Sequence, residues 1–126
     1  MHENEISRHV YECAIEAHCT LGGPGLLESV YEEALAFELS GRGLLVERQV
    51  SVPINYKGFL LATPLRIDLI VGGEVVVECK AVIQYNELFE AQTLTYLRLT
   101  GLKLGMVVNF GEKLAKLGVH RVVNGL

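Results

Sequence analysis

The sequence of 126 residues holds no tryptophan, three prolines and three cysteines. Cys13, Cys19 and Cys79 are odd in number and lack C-x-x-C spacing, which argues against a disulfide framework or a zinc site. No apolar run approaches the roughly 18 residues of a membrane span. No basic stretch followed by an apolar one opens the chain. The expectation is a cytoplasmic protein with no membrane partner. Repeats and low-complexity stretches are also missing, as is an excess of basic charge. The net charge is −4, which argues against a generic nucleic-acid binder. The charge is uneven, however. Residues 1–63 carry nine acids and four Lys or Arg, whereas residues 79–126 carry three acids and six. A nucleic-acid groove would belong mostly to the C-terminal half, although ordinary surface scatter gives the same asymmetry.

What is present is a chain 50% hydrophobic and 21% charged, enough for a single domain over residues 1–126 with a sizeable core. Its organising stretch is Leu65–Lys80, two strands of Val, Ile and Leu joined at Gly72-Gly73. Asp68, Glu78 and Lys80 interrupt it, and buried strands seldom carry charge that is neither paired nor metal-bound. A three-residue loop, Gly72-Gly73-Glu74, pairs Val71 with Val75, Leu69 with Val77 and Ile67 with Cys79. That register gives one wholly apolar face, and burial fixes register. It also sets Asp68 directly opposite Glu78. Facing carboxylates repel, and a divalent cation between them is the natural remedy. Oxygen ligands favour Mg2+ or Mn2+.

Around this hairpin the periodicity predicts a helix over 4–21, capped by Asn4, and a second over about 25–40 with Leu27, Val30, Ala34 and Leu35 inward. His9 and Cys13 lie one turn apart on the first helix, as do Ala14 and His18; a lone histidine there is usually structural or exposed. Residues 45–55 alternate as a half-buried strand, with Pro53 pushing its end toward an edge. Asn55–Gly58 is a turn and Phe59–Leu61 starts a return strand. A helix over about 86–100 follows, capped by Asn86 and ended by Gly101. It supplies the crossover that a parallel strand at 104–110 needs. Residues 117–123 form a last strand at an edge.

Asp68 followed by Glu78-Cys79-Lys80 resembles the D…(D/E)xK signature of the PD-(D/E)xK nuclease superfamily. Gly25-Leu26-Leu27-Glu28-Ser29-Val30-Tyr31 fits the pattern G-x-x-E-x-x-Y, which names a small family placed within it. Gln92-Thr93-Leu94-Thr95-Tyr96 is similar to the Q-x-x-x-Y motif of RecB-type nucleases. The resemblance covers residues 20–125, with the motifs in order. It implies an α/β fold with the restriction-endonuclease-like αβββαβ core, a mixed central sheet flanked by helices. It further implies that Asp68 and Glu78 hold a metal, that Glu28 is a further ligand, and that Lys80 helps activate water. Gln92 and Tyr96 would position substrate. Glu28 has another reading, a helix-start acid near the positive end of the dipole, and Tyr96 another as a core residue with a satisfied hydroxyl.

The expected function is therefore a divalent-metal-dependent nuclease acting on DNA with Mg2+ or Mn2+, and a homodimer because so small a body has little surface to grip a duplex. The alternative is a non-catalytic nucleic-acid-binding or dimeric interaction module that keeps the nuclease fold. Fold alone does not decide between them.

Overall fold

The computed structural model describes residues 1–126. Helix α1 spans Glu3–Thr20 and buries Ile6, Val10, Cys13, Ala14 and Ala17 at helical spacing. Its cap is His2 rather than the expected Asn4. The His2 Nδ1 accepts the Asn4 N–H at 3.0 Å, so Asn4 lies in the first turn and its Oδ1 accepts from Arg121 instead. Gly22 and Gly23, at φ 89° and 93°, reverse the chain. Helix α2, Glu28–Gly41, starts later than its periodicity suggests and is rotated. Leu27 and Val30 are exposed, while Tyr31, Glu32, Leu35, Ala36 and Leu39 are buried. Tyr31 causes the rotation. Its ring stacks on Phe110 at 4.7 Å between centroids. Its hydroxyl donates to the Gly23 carbonyl at 2.7 Å and accepts the Leu26 N–H at 3.2 Å. A large aromatic with a satisfied polar tip takes the inner stripe in preference to Val30, while Leu27, one turn before Tyr31, lies outside the helix as its N-cap.

The sheet contains β1 (Val46–Val52), β4 (Leu65–Val71), β5 (Val75–Lys80), β6 (Leu104–Asn109) and β7 (Val119–Val123), in the order β1-β4-β5-β6-β7. Only β5 and β6 run parallel, and helix α3 (Leu88–Thr100) makes the crossover between them. Asn86 Oδ1 accepts the Leu88 N–H at 2.9 Å, and Gly101 closes α3 at φ 78°. The expected strand over 45–55 is shorter, because Pro53 cannot donate to a ladder. Beyond it β2 (Asn55–Tyr56) and β3 (Phe59–Leu60) form their own ribbon, outside the main sheet. Helices α1 and α2 cover one face of the sheet over the larger core. Helix α3 covers the other, with Leu97 against Ile70, Val76 and Val122. This is the mixed, helix-flanked sheet of a restriction-endonuclease-like fold, with β1, β4 and β5 as the first three strands of the αβββαβ core. No helix is long and apolar enough to cross a membrane.

The hairpin register is Leu69↔Val77, Ile70↔Val76 and Val71↔Val75, as expected. Gly72 and Gly73 both sit in the left-handed region, and Glu74 N–H closes the turn onto the Val71 carbonyl at 3.1 Å. The ladder then stops. Ile67 neither pairs with Cys79 nor shares the face of Leu69; it packs with Ile70, Val76, Leu97 and Val122. At the same level, β1 and β4 skip the pair Gln49–Asp68, and Gln49 adopts φ 50°. Residues on the two sides of this step therefore face opposite cores. The alternation predicts one apolar face, but it is broken where the charged side chains enter the sheet.

Helix α3 lies close on β6 because residue 105 has no side chain. A Cβ added at Gly105 would come within 2.5 Å of Thr93 Cγ2 and 3.5 Å of Leu97. Gly105→Ala is expected to destabilise by about 1–3 kcal/mol through overpacking. Thermal melts check this; an unchanged midpoint would contradict the close seat of α3.

Candidate active site

The site forms where β4 and β5 part. Asp68 N–H donates to Glu78 Oε2 at 2.8 Å, and Cys79 N–H donates to Asp68 Oδ2 at 2.9 Å. Each carboxyl group thus occupies the place of a missing backbone partner. The other oxygens, Asp68 Oδ1 and Glu78 Oε1, are not committed to backbone. Glu78 is 6% exposed. Burial first, and then the charge of Asp68, push its carboxyl up to about 8. The Asp68 N–H and the Lys80 ammonium act in the opposite direction.

Lys80, at the end of β5, holds its Nζ 4.8 Å from the centre of the Phe89 ring on α3, a cation–π distance. Asn109 fixes the segment that leaves Lys80. It is buried, and its side-chain amide accepts from Val82 N–H and Gly111 N–H and donates to the Val82 carbonyl. Tyr96, half-buried on α3, has its phenol raised by burial, then by the charges of Glu78 and Asp68. Its ring packs against the smaller apolar cluster under α3. Gln92 is exposed, and the acid pair bonds to backbone and to Gln49 rather than to it.

Glu28 is the first residue of α2. Its carboxyl is raised by burial, lowered by Lys80, and raised again by Asp68 and Glu32. The residue as a whole is open to solvent. Lys80 and Asp68 are among the charges that act on Glu28. The G-x-x-E-x-x-Y stretch has a local logic. Gly25 takes φ 116°, Tyr31 ties the preceding loop to the core, and Glu28 starts the helix between them.

Sequence reasoning missed the role of Glu32 and Gln49. Glu32 is 5% exposed. Its Oε2 accepts from Arg48 Nε and Nη2 at 3.3 and 3.2 Å, and its Oε1 accepts from Gln49 Nε2 at 2.8 Å. The same Gln49 nitrogen reaches Asp68 Oδ1 at 3.4 Å. The available signal was Glu32 one turn after Glu28, opposite an Arg-Gln pair on a strand of otherwise aliphatic alternation.

Asp68 and Glu78 offer two hard oxygen donors that repel each other, which suits Mg2+ or Mn2+. No three His, Cys, Asp or Glu side chains converge tightly enough to hold a metal on their own. Glu28 therefore stands near the pair without completing a three-residue cluster.

Two acids and a lysine thus sit where β4 and β5 stop pairing in a mixed, helix-flanked sheet. A family model of the PD-(D/E)XK nuclease superfamily matches residues 4–122, and the chain belongs to that superfamily. Comparisons with curated proteins and with solved structures find no match.

The raised Glu78 has a consequence for stability. Between its ordinary range, about 4.5, and about 8 the folded protein keeps a proton that the unfolded chain has released. Stability of the metal-free protein should therefore fall as pH rises through that window, by up to about 1.4 kcal/mol per pH unit. Glu78→Gln should flatten the slope. Urea denaturation across the window tests this; equal slopes for wild type and variant would contradict it.

Proposed function

We propose that the protein is a divalent-metal-dependent nuclease hydrolysing phosphodiester bonds in DNA. The observation that carries the reading is the cross-bonded, mutually repelling pair Asp68 and Glu78 beside Lys80, in a chain of the PD-(D/E)xK superfamily. Asp68 and Glu78 would hold Mg2+ or Mn2+, with Glu28 as a further ligand or an outer partner. The ion, when bound, polarises the scissile phosphate and lowers the pKa of a water. Lys80 would orient that water by donating a hydrogen bond to it, or neutralise charge on the phosphate. The Phe89 ring on α3 holds the ammonium by a cation–π contact. Tyr96 and Gln92 line the approach on α3 and position the substrate. The proposal includes a homodimer, which doubles the surface available to a duplex.

One observation favours the second reading, a non-catalytic nucleic-acid-binding or dimeric module: three ligands do not converge. Wild type incubated with single-stranded, duplex and branched DNA and with RNA, each with Mg2+ or Mn2+, separates the two. Asp68→Ala should abolish cleavage and weaken metal binding in calorimetry. Lys80→Ala should keep or strengthen metal binding, because an ammonium cannot be a ligand, while turnover falls about 10²–10⁴-fold. If wild type neither binds metal nor cleaves, and Lys80→Ala mainly lowers the melting temperature, the nuclease reading fails.

A further inference from the structure

We infer that Gln49, held by Glu32, is a positioning residue that sets the orientation of the Asp68 carboxylate. The inference rests on the reading of Asp68 as a metal ligand. It starts from three independent observations on Gln49. Its backbone is at φ 50°, a region that costs a residue other than glycine stability unless the surroundings enforce it. It is the residue that the β1–β4 ladder skips, opposite Asp68. Its amide nitrogen is shared between Glu32 Oε1 at 2.8 Å and Asp68 Oδ1 at 3.4 Å.

The amide has two hydrogens and so can serve both acceptors. Glu32 fixes it, and Glu32 is itself fixed by Arg48 through two N–H groups on the other oxygen. A buried carboxylate is costly unless it is paired and bonded, and Glu32 is both. The chain of contacts runs from α2 through the Gln49 side chain to Asp68 Oδ1. Asp68 Oδ2 is already fixed by Cys79 N–H on β5. The carboxylate is thus gripped on one oxygen by β5 and on the other by an amide anchored to α2. Without that second grip, the Cys79 N–H alone holds the Asp68 carboxylate, which is free to rotate about its side-chain bond. The long 3.4 Å contact suits this task, because a weak donor aims the oxygen while leaving it free to ligate.

Groups that orient metal ligands without touching the metal typically affect affinity about 10–100-fold. The decisive variant is Gln49→Gly, which removes the amide and accepts the positive φ without strain. Arg48 still pairs with Glu32, so the fold should survive. Gln49→Asn is the companion: asparagine tolerates the left-handed region, but its shorter side chain cannot span both acceptors. Two measurements are made on wild type and variants. One is Mn2+ affinity by calorimetry, beside thermal melts; the other is NMR of the Gln49 side-chain amide in the metal-free protein.

The expected result is a slowly exchanging amide in wild type, altered in Asp68→Ala, and Mn2+ binding weakened about 10–100-fold in both Gln49 variants at little cost in melting temperature. If the variants bind Mn2+ as wild type does, or the amide exchanges as freely as an exposed one, positioning by Gln49 is overturned while the metal reading stands. If wild type itself binds no Mn2+, the metal reading fails and the inference falls with it.

Discussion

Two carboxylates inserted between two parting strands are the constraint on which this structure depends. Asp68 and Glu78 replace the next rung of the β4–β5 ladder with bonds from side chain to backbone. Continued pairing would satisfy the same N–H groups with carbonyls and leave two facing acids in a closed sheet. The observed arrangement satisfies the donors and opens a gap. It also forces the exchange of faces at Ile67 and the left-handed turn of Gln49. Lys80 follows at the end of β5, against the Phe89 ring.

The remaining elements hold that gap in place. Tyr31 and Phe110, stacked nearly parallel, lock α2 and the end of β6 into one core, so the first turn of α2 ends above the acids. Asn109 ties the segment after Lys80 to the neighbouring strand. On the opposite face, the close approach at Gly105 brings α3 near enough for Phe89 and Tyr96 to reach the pocket. These positions are far apart in sequence, and each is set by a contact that a different side chain would not make.

Much of this is legible in the residues. The β4–β5 register follows from Val71, Leu69, Val75 and Val77, because one slip would expose all four. The crossover by α3 follows from the need of a parallel pair for a long connection. The rotation of α2 is not legible, since Val30 fits the inner stripe on periodicity as well as Tyr31 does. Only the distant ring of Phe110 decides between them. The face exchange at Ile67 is hidden for a related reason. Period-two alternation assumes an unbroken ladder, and the break comes from side chains that bond to backbone. Asp68, Glu78 and Lys80 stand out because charge in an aliphatic strand needs a partner. Glu32 does not, because an acid on a helix usually faces solvent.

The central claim is that the Asp68–Glu78 gap is built to hold a divalent cation. Anomalous diffraction from crystals grown with manganese tests it most directly. The account predicts one strong peak within coordination distance, about 2 Å, of an Asp68 and a Glu78 carboxylate oxygen, and its loss in Asp68→Ala. An ordered acid pair with no peak beside it, or manganese bound only elsewhere on the chain, would contradict the account.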